Sequence, residues 1–288
     1  MATNDAGPKT LRVVPKATKG SLASPGELTA LGRPGGGRSP PLLAYVLHQH
    51  DWSETSLIVE LFTRAQGRVV VAAKGAKRPT SNFRAVLLPF QPILAQLGKA
   101  PADAAAEVFN LRSAEWAGGQ PLLGAGAMFS GFYANELLLK LLARQDAHPV
   151  LFDAYADTLA ALGAGEDEAP ALRAFELVLL RELGWLPELS SATLTAEALR
   201  PDGRYTLQPE AGLITHGDGL GGSTWVALDA ALAHQTRGGS TAALRAACAP
   251  VATALRGPLR SLLDYHLGPM PLRTREVWRG VQRLVDPR

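Results

Sequence analysis

Cysteine is almost absent from this chain: its 288 residues include only Cys248. One thiol excludes an internal disulfide framework and any zinc site built from several thiolates. Residues 188–226, a turn-rich stretch, contain no cysteine at all, and His216 alone cannot hold a zinc ion there. We therefore expect neither a bound metal nor another cofactor.

Long apolar runs and a large excess of one charge are also missing. The longest apolar region, residues 122–143, is interrupted by Glu136 and Lys140, so it predicts a core helix and not a bilayer span. The first eight residues lack the basic-then-apolar order of a secretory signal, and we expect a cytoplasmic protein without a membrane partner. The formal net charge of +3 is too small to predict a nucleic-acid partner by itself.

The common catalytic motifs are absent too. The sequence has no G-x-S-x-G, no H-E-x-x-H and no Walker loop. His48 and His50 share one face of a predicted strand, but no third ligand stands at a suitable spacing, so ordinary surface histidines are favoured over a metal site. A nuclease would typically need acidic residues gathered around a divalent metal ion, and the acids of residues 42–116 are scattered. The sequence therefore predicts a protein that is not an enzyme.

Basic and acidic residues are distributed unevenly along the sequence. Residues 1–41 carry six basic and two acidic residues and many glycines and prolines, which predicts a flexible basic arm. Residues 42–116 are mildly basic, with eight basic and six acidic residues. Residues 144–210 carry five basic against twelve acidic residues, and residues 211–288 nine against five. The near-neutral total thus conceals a basic amino-terminal part beside an acidic middle.

Residues 42–117 are predicted to form a small β-barrel. Five short segments rich in β-branched and apolar residues follow one another, with a brief helical turn near residues 81–86. This order is typical of a closed barrel of the OB type, with a plain β-meander as the alternative. The five predicted strands are 42–48, 56–62, 68–74, 92–97 and 107–116.

Residues 118–288 are predicted to form a helical domain. Apolar residues recur at helical spacing, and proline or glycine marks the ends of the segments. Residues 188–226 between the helices predict a small hairpin or loop insertion. The whole is an α+β multidomain protein, an OB-fold barrel followed by helices. The predicted helices are 122–143, 150–162, 171–183, 241–255, 259–267 and 274–285.

The segment Arg64–Arg84 contains six basic residues and no acid within 21 residues. Cations that follow phosphates, with an occasional ring for stacking such as Phe83, are what DNA binding without base specificity requires. A hairpin edge protected by positive charge is the alternative. The predicted DNA-binding residues are Arg64, Arg68, Lys74, Lys77, Arg78 and Arg84.

Several stretches, in order along the chain, resemble the bacterial RecO family of recombination mediators. Each alone is weak, but the set spans about Leu42 to Leu284. They are Tyr45–His48, Ser53–Leu57, Leu61–Thr63, Gly67, Ala73–Arg78, Asn135–Leu142, Leu180–Trp185 and Leu272–Glu276.

The resemblance implies a function in DNA repair and recombination. It implies binding of single- and double-stranded DNA, annealing of complementary strands, contact with the C-terminal tail of the single-strand-binding protein, and loading of RecA together with RecR, in the cytoplasm at the nucleoid. Lys74, Lys77 and Arg78 match the family's basic segment, whereas Arg64, Arg68 and Arg84 are added from charge alone.

Arg273 and Arg275 are candidates for the rim of a tail-binding groove between helices, although a solvated helix start fits them equally well. Two other function classes stay open: a protein-interaction scaffold whose barrel does not bind DNA and, in third place, a nucleic-acid enzyme.

Overall fold

The structure of the protein is a computed structural model that describes residues 40–98 and 108–285. The predicted arm, residues 1–41, therefore lies outside the described residues except for its last two. No helix within the described ranges is both long and apolar enough to cross a membrane.

A closed five-stranded barrel opens the described chain and confirms the predicted OB-type fold. The strands pair in the order β1-β2-β3-β5-β4, and β4 closes back onto β1. All pairs are antiparallel except β3 with β5. The elements are β1 (Leu42–Asp51), β2 (Leu57–Thr63), β3 (Gly67–Ala73), α1 (Phe83–Val86), β4 (Pro92–Leu97) and β5 (Val108–Trp116).

Strands β1, β2 and β3 contain runs of consecutive buried residues, because both faces of these strands are covered. In β1, Ala44 and Val46 belong to the core inside the barrel, whereas the alternate residues Tyr45 and Leu47 belong to the core of the helices. Successive side chains of a strand point to opposite faces, so one strand serves both cores. Full burial of a large apolar side chain contributes about 1.5–3 kcal/mol, and this shared strand therefore holds the barrel against the helices.

The helical region follows the barrel, and a small three-stranded sheet of order β7-β6-β8 interrupts it. This sheet occupies the predicted insertion, and the buried Trp225 donates its indole Nε1 to the backbone oxygen of Tyr205 at 3.0 Å. The helices are α2 (Ala125–Leu141), α3 (Pro149–Gly163), α4 (Glu168–Glu182), α5 (Gly222–Thr236), α6 (Ala242–Cys248), α7 (Ala252–Leu267) and α8 (Arg273–Val285). The strands of the insertion are β6 (Arg204–Gln208), β7 (Gly212–Thr215) and β8 (Leu220–Gly221).

Four helix predictions differ from the structure, and the first is α2, which begins at Ala125, three residues after its predicted start. The predicted set does not include α5, whose alanine-rich sequence follows a run of glycines. The predicted break at Pro258 lies inside α7, and the chain instead turns at the 3-10 segment Ala249–Val251. Helix α4 begins about one turn before its predicted start. The Asp167 side chain caps this earlier start by accepting a hydrogen bond from the Ala169 backbone N–H at 3.1 Å. Pro170 does not prevent it, because proline is tolerated in the first turn of a helix.

Buried polar contacts fix the barrel onto the helices. The Asn135 side-chain amide of α2 donates to the Leu47 backbone oxygen at 3.0 Å, and the Tyr155 hydroxyl donates to the Asn135 Oδ1 at 2.5 Å. Arg144, after α2, pairs with the nearly buried Glu60 of β2 at 3.2 Å. Because an unpaired polar group would be costly at this depth, these bonds specify one arrangement of the two parts.

Candidate nucleic-acid interface

A cationic loop leaves the barrel at the end of β3. This basic loop, residues 74–84, begins after Ala73 and includes the first two residues of α1, Phe83 and Arg84. Lys74, Arg78 and Arg84 are exposed, and none of the three has an ion pair or side-chain hydrogen bond within the described residues. Their charges are thus available to an external anion.

The backbone of the basic loop is folded into successive turns. Gly75 adopts a φ of +71°, a left-handed conformation that glycine enters without steric cost. The Arg78 amide donates to the Gly75 oxygen at 3.1 Å, and the Arg84 amide donates to the Ser81 oxygen at 3.3 Å. These turns hold the exposed cations on an ordered stretch of chain.

Lys77 differs from its neighbours because its ammonium group is already engaged. Its Nζ lies 2.7 Å from the Asp51 carboxylate and donates to the Ser53 backbone oxygen at 2.9 Å. Its backbone N–H donates to the Thr55 oxygen at 3.0 Å. Lys77 therefore ties the basic loop to the loop between β1 and β2, residues 52–56.

Arg64 and Arg68 lie at the opposite end of β3 from the basic loop. Seven residues of extended strand span about 20 Å, so the acid-free segment of the sequence does not form one surface. Arg64 makes two 2.9 Å hydrogen bonds to the Asp153 carboxylate of α3, which raise the pKa of its guanidinium. Arg68 is half-buried and donates to the Leu139 backbone oxygen of α2. Both arginines thus contact helices, and their DNA contact stays a prediction.

Two aromatic side chains lie at the basic loop, Phe83 within it and Trp52 beside it, and Trp52 is the exposed one. Phe83 is half-buried and packs against the core inside the barrel. Trp52, in the loop that Lys77 ties down, is 56% exposed. The sequence offered a signal for it, an aromatic next to a strand end and among polar residues, but the pairing of the two loops is visible only in the fold.

A cleft of about 570 Å³ lies between β1, α2 and the start of α8. Apolar side chains, including Leu47, Phe132 and Met270, line it together with the cations Lys140 and Arg273. The cleft includes β1 residues, so it is not formed by the helical domain alone. Arg275 does not line it: its guanidinium pairs with Asp264 at 2.6 Å.

One carboxylate anchors the wall of this cleft. Glu136 accepts the backbone N–H groups of Arg273 at 2.8 Å and Thr274 at 2.9 Å, and so caps α8 from α2. Burial alone would raise the pKa of Glu136, but these hydrogen bonds and the one from the Thr274 hydroxyl hold it below the ordinary value. Lys140 donates to the Pro271 oxygen at 2.7 Å, which fixes the segment before α8 as well.

His48, which also lines the cleft, lies beside His50 with their ring centroids 4.3 Å apart. Burial and the neighbouring His50 hold the pKa of His48 below its ordinary value. Within residues 40–98 and 108–285, no group of three His, Cys, Asp or Glu side chains is arranged to hold a metal ion.

Comparison with known proteins gives matches over both parts of the chain. The family model described as Recombination protein O N terminal matches residues 42–117. The model described as Recombination protein O C terminal matches residues 125–276. Residues 1–41 lie outside both.

Curated relatives are similar over most of their length. The DNA repair protein RecO of Variovorax paradoxus is 51% identical over 253 residues, which covers 84% of this chain and 96% of the relative. The proteins of the same name from Verminephrobacter eiseniae and Acidovorax ebreus are each 48% identical, again over 84% of this chain and 96% of the relative.

Proposed function

The chain belongs to the RecO family, and from this premise we propose that it is a DNA-binding recombination mediator whose barrel contacts DNA through the basic loop. It binds single- and double-stranded DNA, anneals complementary strands and, with RecR, helps to load RecA onto DNA coated by the single-strand-binding protein. The observation that supports the DNA contact is a group of three exposed cations, Lys74, Arg78 and Arg84, that have no side-chain partner among the residues that the structure describes.

Annealing fits this arrangement because its main obstacle is the repulsion between two polyanions. Cations that bind phosphates release condensed counterions, which favours binding without reading any base. An exposed lysine or arginine on a turn suits such contacts, since it reaches a phosphate without a special pocket. The acidic helical region, residues 144–210, would repel DNA and is left for protein partners.

We expect the full chain to bind labelled DNA of unrelated sequences with similar affinity, and the binding should weaken steeply as salt rises. Fluorescence anisotropy at several salt concentrations measures both properties. Failure to bind DNA at low salt would favour a scaffold whose barrel does not bind DNA. Incubation of the same DNA with Mg²⁺ should leave it intact, and metal-dependent cleavage would favour the nuclease alternative.

The cleft is our proposed site for the tail of the single-strand-binding protein. An acidic peptide with an apolar end complements a cleft that has apolar walls and an exposed cation, Arg273. Glu136 and Lys140, which also line the cleft, pair with each other, so Glu276 is the lining carboxylate that opposes Arg273. Arg273 is exposed and has no side-chain partner within the described residues.

Charge reversal at the cleft should abolish most tail binding. For Arg273→Glu we expect at least a tenfold weaker affinity for a labelled acidic peptide with an apolar carboxyl end, because an attraction becomes a repulsion. Arg279→Glu, with the same charge change on the same helix but away from the cleft, is the control and should bind within twofold of the parent. The full chain is required because β1 contributes to the cleft. Equal binding by both variants would place the tail elsewhere.

A further inference from the structure

Trp52 combines exposure with a fixed position. It is 56% exposed, although an indole is among the most apolar side chains. Its backbone N–H donates to the Ser56 oxygen at 3.3 Å, and the Ser56 N–H donates to the Ser53 hydroxyl at 3.2 Å, which closes a tight turn. A single exposed apolar side chain is common on protein surfaces, so the inference depends on what surrounds this one.

Lys77 holds both neighbours of Trp52 in the sequence. Its ammonium group binds the Asp51 carboxylate on one side and the Ser53 backbone oxygen on the other. The basic loop also reaches this turn through the Gly75 N–H, which donates to the Ser56 hydroxyl at 3.2 Å. Trp52 is thus attached to the segment that carries the exposed cations. Asp51 is paired, and Glu54 is the turn's other acid.

An exposed ring beside backbone-binding cations is the arrangement by which single-stranded DNA is bound without sequence preference. The cations hold the phosphates and the ring stacks on a base. Only an unpaired base can expose its face, because the bases of a duplex are already stacked on each other. The loop between the first two strands is also one of the places where OB folds contact oligonucleotides.

We propose that Trp52 forms a stacking site for one unpaired base of single-stranded DNA, and that Lys77 is a positioning residue for it. This inference rests on the proposed DNA contact of the basic loop. The two loops then have different roles. Lys74, Arg78 and Arg84 bind both single strands and duplexes, whereas Trp52 adds affinity for single strands only.

The test compares two ligands, a single-stranded oligonucleotide and the matching duplex. Trp52→Ala should weaken single-strand binding about tenfold and leave duplex binding within twofold of the parent. The salt dependence of DNA binding should be the same for Trp52→Ala and the parent, because an indole releases no counterion. Trp52→Phe should retain part of the affinity. Trp116→Ala is the control: that residue is a second tryptophan of the barrel, 45% exposed, and its loss should affect neither ligand.

A direct readout is the quenching of tryptophan fluorescence by an oligothymidine strand. The parent protein should be quenched on binding, Trp52→Phe should lose most of the quenching, and Lys77→Ala should lose part of it. Unchanged single-strand binding by Trp52→Ala, or equal losses on both ligands, would overturn the stacking site. A different result would contradict the proposed function itself: the variant without Lys74, Arg78 and Arg84 would bind both the single strand and the duplex as tightly as the parent does.

Discussion

Replacing Lys74, Arg78 and Arg84 together by alanine should lower the affinity for DNA by about two orders of magnitude on single strands and nearly three on duplexes at about 0.1 M salt. The expected loss is large because each phosphate contact contributes through the counterions that it releases. Annealing should fall in parallel. The melting temperature should barely move, since exposed charges contribute little to stability. Anisotropy, a strand-annealing assay and a melting curve measure the three properties.

The control for this variant must change the net charge equally. Arg200, Arg237 and Arg256 are exposed arginines of the helical region, and their joint replacement by alanine removes the same three charges. We expect this control to bind DNA within a fewfold of the parent. If both triple variants lose the same affinity, general attraction explains the binding and the basic loop has no special part in it.

Gly67→Ala should destabilise the fold by about 3 kcal/mol. Gly67, the first residue of β3, has a φ of +65°, which an alanine adopts only with strain. A Cβ there would also lie 1.7 Å from the Asp146 backbone oxygen, so the barrel and the loop before α3 would have to separate. Chemical denaturation measures the free energy of unfolding.

Gly165→Ala separates backbone strain from the steric clash. Gly165 has a φ of +77°, and a Cβ there would meet no atom within 4 Å, so we expect a loss of only about 1 kcal/mol. If the two variants lose the same free energy of unfolding, the close contact between Gly67 and Asp146 carries no cost, and the account of the barrel–helix contact is wrong.

The barrel was predictable because local signals and the tertiary fold agree there. Apolar runs such as Val69–Ala73 end at glycine or polar residues, and these breaks place the strands of the barrel. The position of helix α7 was less predictable: Pro258 signals a break in the sequence, but the packing of Leu255, Leu259 and Leu262 into the core keeps the helix continuous. In α7, burial of these leucines outweighs the tendency of proline to break a helix.

The candidate interface was only partly predictable, because charged residues that are close in the sequence are not always close in the fold. Arg64 and Lys74 belong to one acid-free segment, yet a full strand separates them, and Arg64 pairs with Asp153, 89 residues further on. Trp52 shows the reverse case, since it lies outside that segment and reaches the basic loop through long-range hydrogen bonds of Lys77. Pairings of this kind depend on strand order, which sequence periodicity does not supply.

The salt dependence of DNA binding tests the central claim most directly. The slope of log affinity against log salt should be smaller for the variant lacking Lys74, Arg78 and Arg84 than for the parent, by about 2 on a single strand and about 3 on a duplex. The control lacking Arg200, Arg237 and Arg256 should keep the parent slope. Equal slopes for the parent and the loop variant would contradict the account, because the three exposed cations would then make no phosphate contact.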